Sequence, residues 1–130
     1  MLQFSTISQI AFDKIIIANT FLTRLKGLLG RPEMPKNTCL ILTPCRQVHT
    51  FFMRFPIGVI FLNKQGVVLH KEVLKPWRVS KLVKDAVMVV EVEPGALERI
   101  NVADVLYWDS TKSRELCDGS VYDTMYMVRW

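Results

Sequence analysis

The sequence predicts an α+β fold that is mostly β. A small curled or barrel-like, mainly antiparallel sheet is expected, with one principal helix over about 20–29 and a short helical turn over about 95–100. Three observations carry this. Short apolar runs rich in β-branched residues recur along the chain, as strands require. A turn signal, Asn63-Lys64-Gln65-Gly66, joins two of them into a hairpin. Helical spacing holds over only one sizeable segment, where Phe21, Leu25, Leu28 and Leu29 recur on one face.

In chain order, Leu2 to Ile7 and Lys14 to Ala18 read as short strands, the second built on Ile15, Ile16 and Ile17. Asn19 or Thr20 then caps the helix, since either side-chain oxygen accepts from an orphan backbone N–H. Gly30 and Pro32 stop it. Gly27 lies inside this helix, where it costs about 1 kcal/mol against alanine and invites close packing. Thr38 to Thr43 is strand-like. Cys45 to Arg54 reads as a central strand, ended by Pro56. Ile57 to Leu62, IGVIFL, is apolar throughout and reads as a strand buried on both faces. Gly66 supplies the positive φ of the turn, and Val67 to Leu74 returns as the partner strand. Lys75-Pro76-Trp77-Arg78 is a bend, and Ala86 to Val92 a further strand. Pro94 opens the short helical turn. Val105 to Trp108 closes the sheet, and the tail around Val121 to Met127 reads as a last strand or a docked segment.

One domain spans 1–130, with no repeat, linker or low-complexity segment. At this length roughly two-thirds of the unfolded surface can be buried, enough for a core without staples. The cysteines, Cys39, Cys45 and Cys117, are odd in number and form no C-x-x-C, so neither a disulfide framework nor a zinc module is indicated. A reduced, cytoplasmic setting is expected. The N-terminus has no basic leader before an apolar run, and no apolar run is long enough to span a bilayer. The chain is expected to be a monomer without a cofactor.

The net charge of +5 conceals a division. Between Lys14 and Lys84 stand 13 basic residues against Glu33 and Glu72, whereas from Asp85 onward four basic residues face nine acidic ones. A basic face and an acidic face are the expectation; a dipolar, merely solvated surface is the favoured meaning and an anionic partner the alternative.

The stretch Cys45 to Gly58, CRQVHTFFMRFPIG, concentrates reactive and aromatic side chains. On a strand, Cys45 and His49 stand roughly 13 Å apart, too far to share a proton or a metal. No carboxylate pair, Ser–His–Asp set or glycine-rich phosphate loop is present, so no catalytic or metal site is read. Strand parity puts Cys45, Gln47, His49, Phe51, Met53 and Phe55 on one side and Arg46, Val48, Thr50, Phe52 and Arg54 on the other. Neither side is cleanly apolar, as in a pocket wall.

The frame Cys45-x-x-Val48-His49-Thr50-x-x-Met53-Arg54-x-Pro56-Ile57 resembles the family called domain of unknown function 192. Other segments agree in order: Asn19-Thr20 with Arg24 and Gly27 to Arg31, Lys75 to Arg78, Val89 to Glu91 with Pro94-Gly95, and Ala103-Asp104. The resemblance spans about 15–108, leaving 109–130 as a C-terminal extension. It implies a small, mainly β domain and no established activity. The family usually has an acidic residue where this chain has Gly58, and often Asp where it has Asn63.

Two sets of side chains are therefore candidates for binding. Thr20, Arg24, Arg31, His49, Thr50 and Arg54 suit a small polar or anionic ligand, the guanidinium forks matching carboxylate or phosphate. Lys75, Trp77, Arg78, Lys81 and Lys84 place charge beside a stacking ring, as a nucleic-acid contact would. A structural or interaction protein with no ligand is the third reading.

Overall fold

The computed structural model describes residues 7–18, 36–108, 114–115, 121–122 and 125–129. Ten strands are described: β1 (Ile7–Phe12), β2 (Lys14–Ala18), β3 (Thr38–Leu42), β4 (Ile57–Leu62), β5 (Val68–Leu74), β6 (Met88–Val92), β7 (Val105–Trp108), β8 (Arg114–Glu115), β9 (Val121–Tyr122) and β10 (Met125–Arg129). A 3-10 helix, Pro94–Arg99, follows β6 with proline in its first turn. The expected helix over 20–29, with Gly27, falls outside the described residues. Among those described, no helix exceeds these six residues.

The main sheet has the order β2-β3-β6-β4-β5. Strands β2 and β3 are parallel and the remaining neighbours antiparallel. A smaller antiparallel sheet has the order β1-β10-β7, and β8 pairs β9. The tail thus enters the small sheet as its middle strand. The expected barrel-like closure is not found: the main sheet is open, ending at β2 and β5. β4 is buried at all six positions, so the open sheet carries a covering layer on each face.

Those two layers are distinct. On one face Ile60, Leu62, Val90 and Val92 pack with Phe12, Leu106, Met125 and Met127 of the small sheet and with Ala96 and Leu97 of the 3-10 helix. On the other, Ile57, Val59, Phe61 and Val89 pack under Cys45, Val48, Met53, Phe55 and Ala86. The second cover contains no regular strand.

The reading of Cys45 to Arg54 as a central strand is therefore corrected. Only one isolated bridge, His49 to Val79, interrupts its irregular course. Its buried residues are Cys45, Val48, Thr50, Met53 and Phe55, a spacing that is neither 2 nor 3.6. Irregular bonds to the segment 77–87 replace a ladder: Cys45 N–H donates to Val87 C=O, Ser80 N–H to Val48 C=O and Thr50 N–H to Arg78 C=O. The Ser80 hydroxyl accepts from Val48 N–H at 2.9 Å. The β4–β5 hairpin forms as expected, with Gly66 at φ 82° and the Asn63 carboxamide accepting from Gln65 and Val67 N–H.

Candidate binding site

Two turns meet over the second core, and Thr50 joins them. The first runs from Thr50 to Met53, closed by Met53 N–H donating to Thr50 C=O at 3.2 Å. The second runs from Lys75 to Arg78. Its ends are bridged by the Thr50 hydroxyl, which donates to Lys75 C=O at 2.6 Å and accepts from Arg78 N–H at 2.9 Å. Trp77 N–H also donates to Thr50 C=O at 3.0 Å. Thr50 is fully buried, so all these bonds are shielded from water.

Each turn holds an aromatic residue at its third position with positive φ: Phe52 at 68° and Trp77 at 62°. Type II turns give that position to glycine or asparagine, because a Cβ there crowds the backbone. The Pro76 ring fits the preceding position of such a turn. Bulky residues at positive φ are outliers, and outliers of this kind cluster at functional sites. Packing does not explain these two, since Phe52 is 71% exposed and Trp77 55%.

The rings associate instead with one another. Phe52 and Trp77 have centroids 4.7 Å apart at 58°. Phe51 stacks on Trp77 at 5.9 Å and on His49 at 4.7 Å. The imidazole Nδ1 of His49 accepts from Phe51 N–H at 3.2 Å. The outcome is an exposed aromatic platform, with valines at 73 and 79 and Leu82 also exposed. Arg54, Lys75, Arg78 and Lys81 are exposed in the same two segments, as are Arg46 and Lys84. Among the described residues, neither ion pair involves any of these six cations.

The structure thus joins residues from the two sequence-derived sets. His49 and Thr50 belong to one, Trp77 and Arg78 to the other, and Thr50 bonds the second turn directly. Thr20, Arg24 and Arg31 lie outside the described residues. Phe51 and Phe52 stood in neither set: strand parity put them on opposite faces, whereas the irregular turn brings both rings to Trp77.

Other polar groups have structural partners. Asp104 is buried and accepts from Arg129 Nε at 2.9 Å, Arg129 Nη2 at 2.9 Å and Asn101 N–H at 2.7 Å. Burial pushes its carboxyl up, but the Arg129 and Asn101 hydrogen bonds and the charges of Arg129 and Lys71 outweigh that and hold it below the ordinary value. Lys71 donates to Leu97 and Ile100 C=O at 2.6 and 2.7 Å, satisfying carbonyls at the end of the 3-10 helix. His70 and Glu72 pair at 2.8 Å on β5. Burial pushes the Cys39 thiol up, leaving it poor in the reactive thiolate. Cys45 donates to Gln47 C=O at 3.2 Å. A recess of about 350 Å³ is lined by Pro44, Cys45, Arg46, Ala86 and Val87. No group of three or more potential metal ligands occurs among the described residues, and no helix there is long and apolar enough to cross a membrane.

Gly58 explains itself on β4. A Cβ there would lie 2.8 Å from Leu97 Cγ and 3.1 Å from both its methyls. Leu97 occupies the space into which a side chain at 58 would project, so this chain has apolar packing where an acidic group would otherwise be accommodated.

Comparisons with known proteins agree with the motifs. The profile of the domain of unknown function 192 family, described as an uncharacterised ACR, matches residues 4–105. A UPF0127 protein of Pyrococcus furiosus is 34% identical over 103 residues, 74% of this chain and 87% of that protein. A UPF0127 protein of Thermococcus sibiricus is 28% identical over 114 residues, covering 83% and 74% of the two chains. The crystal structure of a protein of unknown function from Novosphingobium aromaticivorans superposes with a TM-score of 0.60 at 20% identity, covering 70% of this chain and 71% of that one. With its motif frame and a profile match across most of its length, this chain belongs to the domain of unknown function 192 family.

Proposed function

We propose that this domain is a binding module and that the platform of His49, Phe51, Phe52 and Trp77 is its recognition surface, taking a polar or anionic ligand that carries a flat ring. The observation behind this is the strain. Two bulky aromatic residues occupy backbone conformations suited to glycine, and both remain exposed. A sequence under selection for stability alone would place glycine or asparagine at these turn positions. The surrounding cations favour a ligand of negative charge.

In this reading His49 and Trp77 contact the ligand, Arg54, Lys75, Arg78, Lys81 and Lys84 attract it, and Thr50 holds the two turns in register. Thr20, Arg24 and Arg31 stay candidates on their motif positions alone. No catalytic role is assigned. The reading includes a monomer in the cytoplasm, a compartment suited to the thiols of Cys39 and Cys45.

Backbone amide chemical-shift mapping tests the proposal, using a panel of ring-bearing carboxylates, nucleotides, oligonucleotides and acidic peptides. Shifts centred on 49–53 and 75–78 are expected for at least one class. A panel that moves only amides elsewhere, or none, would leave a structural or interaction protein as the better account.

A further inference from the structure

We propose that the platform receives single-stranded nucleic acid, its bases stacking on the rings and its phosphates lying along the cations beside them. This rests on the binding-module reading above and narrows it to one ligand class.

Three features favour a strand over other anionic ligands. First, the rings form an open surface. Phe51, Phe52 and Trp77 are all exposed. Exposed flat rings suit base faces, which need no enclosure. Second, there are several rings. Phe51 stacks on Trp77 at 30° and Phe52 is tilted 58° against it, their centroids 5.9 and 4.7 Å from that of Trp77. Phe52 and Trp77 are the more open rings, 71% and 55% exposed, and a strand can use both where a mononucleotide uses one. Third, cations flank the rings in both segments: Arg54 follows Phe52, while Lys75 and Arg78 bracket Trp77, with Lys81 beyond. Their ammonium and guanidinium groups form no ion pair with a carboxylate among the described residues. All four are exposed, so phosphates can reach their charge, with counterion release supplying affinity.

Duplex is disfavoured by the same geometry, because paired bases do not present their faces. Base faces on rings and phosphates on cations are common to RNA and DNA, so both share the chemistry proposed.

The test is fluorescence anisotropy on the full chain with labelled oligo-dT and oligo-rU of about 12 nucleotides, a duplex of equal length, a mononucleotide, and an acidic peptide of matched charge. Tight binding of either single strand is expected, with duplex and peptide weaker. Trp77→Ala should weaken single-strand binding about tenfold, the scale of one lost stacking contact. Arg78→Gln should flatten the plot of log affinity against log salt by about 0.7, the loss of one phosphate contact on a single strand. Circular dichroism of each variant, with Trp77→Phe retaining a ring, separates lost contact from lost fold.

Single-strand binding that survives Trp77→Ala in a folded protein would overturn the proposal, as would tighter binding to the duplex. Binding of only the mononucleotide or the peptide, with shifts at 49–53 and 75–78, would refute the strand while sparing the binding platform. Absence of shifts there with every ligand would refute both.

Discussion

Replacing Phe52 or Trp77 by glycine should leave stability nearly unchanged, in contrast with the usual outcome for aromatic residues. At Phe52, three effects compete. Releasing a non-glycine residue from the left-handed region returns about 1–2 kcal/mol. The greater backbone freedom of glycine in the unfolded chain removes about 0.5–1 kcal/mol. Loss of the ring contact with Trp77 at 4.7 Å removes a further 0.5–1.5 kcal/mol or so. Phe52 is so exposed that little core is lost. The balance lies between a gain of about 1 and a loss of about 1.5 kcal/mol. Phe61 is fully buried, and Phe61→Ala should cost about 3–5 kcal/mol. Urea unfolding of the parent, Phe52→Gly, Trp77→Gly and Phe61→Ala, followed by circular dichroism, gives midpoints and slopes for all four. A loss above about 2 kcal/mol at Phe52, with an unchanged slope, would mean that the ring stabilises the fold and that strain is no guide to function here.

Further substitutions examine the supports of the site. Thr50→Val should destabilise by about 2–4 kcal/mol, because Lys75 C=O and Arg78 N–H lose their buried partner; Thr50→Ser should restore most of it in thermal melts. Gly58→Ala should lose about 1–3 kcal/mol through the clash with Leu97, and adding Leu97→Ala should cost less than the sum of the separate changes in a double-mutant cycle. Asp104 has a lowered folded-state pKa, so its stabilisation is full above the ordinary carboxylate value near 3.9 and fades as pH falls through the folded value. Asp104→Asn should therefore destabilise at neutral pH and flatten the acid limb of a stability–pH profile; an unchanged limb would remove Asp104 from the account.

The sequence was most legible where local chemistry and distant packing agree. Ile57 to Leu62 is apolar at every position, and burial on both faces follows directly. Asn63 and Gly66 specify the hairpin turn through one carboxamide and one positive φ. Cys45 to Phe55 misled because its aromatic and β-branched content favours a strand, while its apolar spacing is set by the sheet beneath. Cys45, Val48, Met53 and Phe55 reach that sheet from an irregular chain, a pattern with no period of its own. At the site, His49, Arg54, Lys75, Trp77 and Arg78 stood out by residue type. Their association depends on Thr50, which bonds residues 25 and 28 positions away. Nothing at position 50 alone announces that bond. The C-terminal segment was legible only as a last strand or a docked segment, not as the middle of a sheet.

That placement affects the order of events during synthesis. Strand β1 ends at Phe12 and its neighbour β10 begins at Met125. At the usual pace of a ribosome, the interval between them takes roughly 5–25 s. The β3–β6 and β4–β5 pairings become available earlier, whereas β1 must wait with its hydrogen-bonding edge open to strangers. Until Met125 and the residues after it are made, β1 lacks the strand that it pairs with among the described residues.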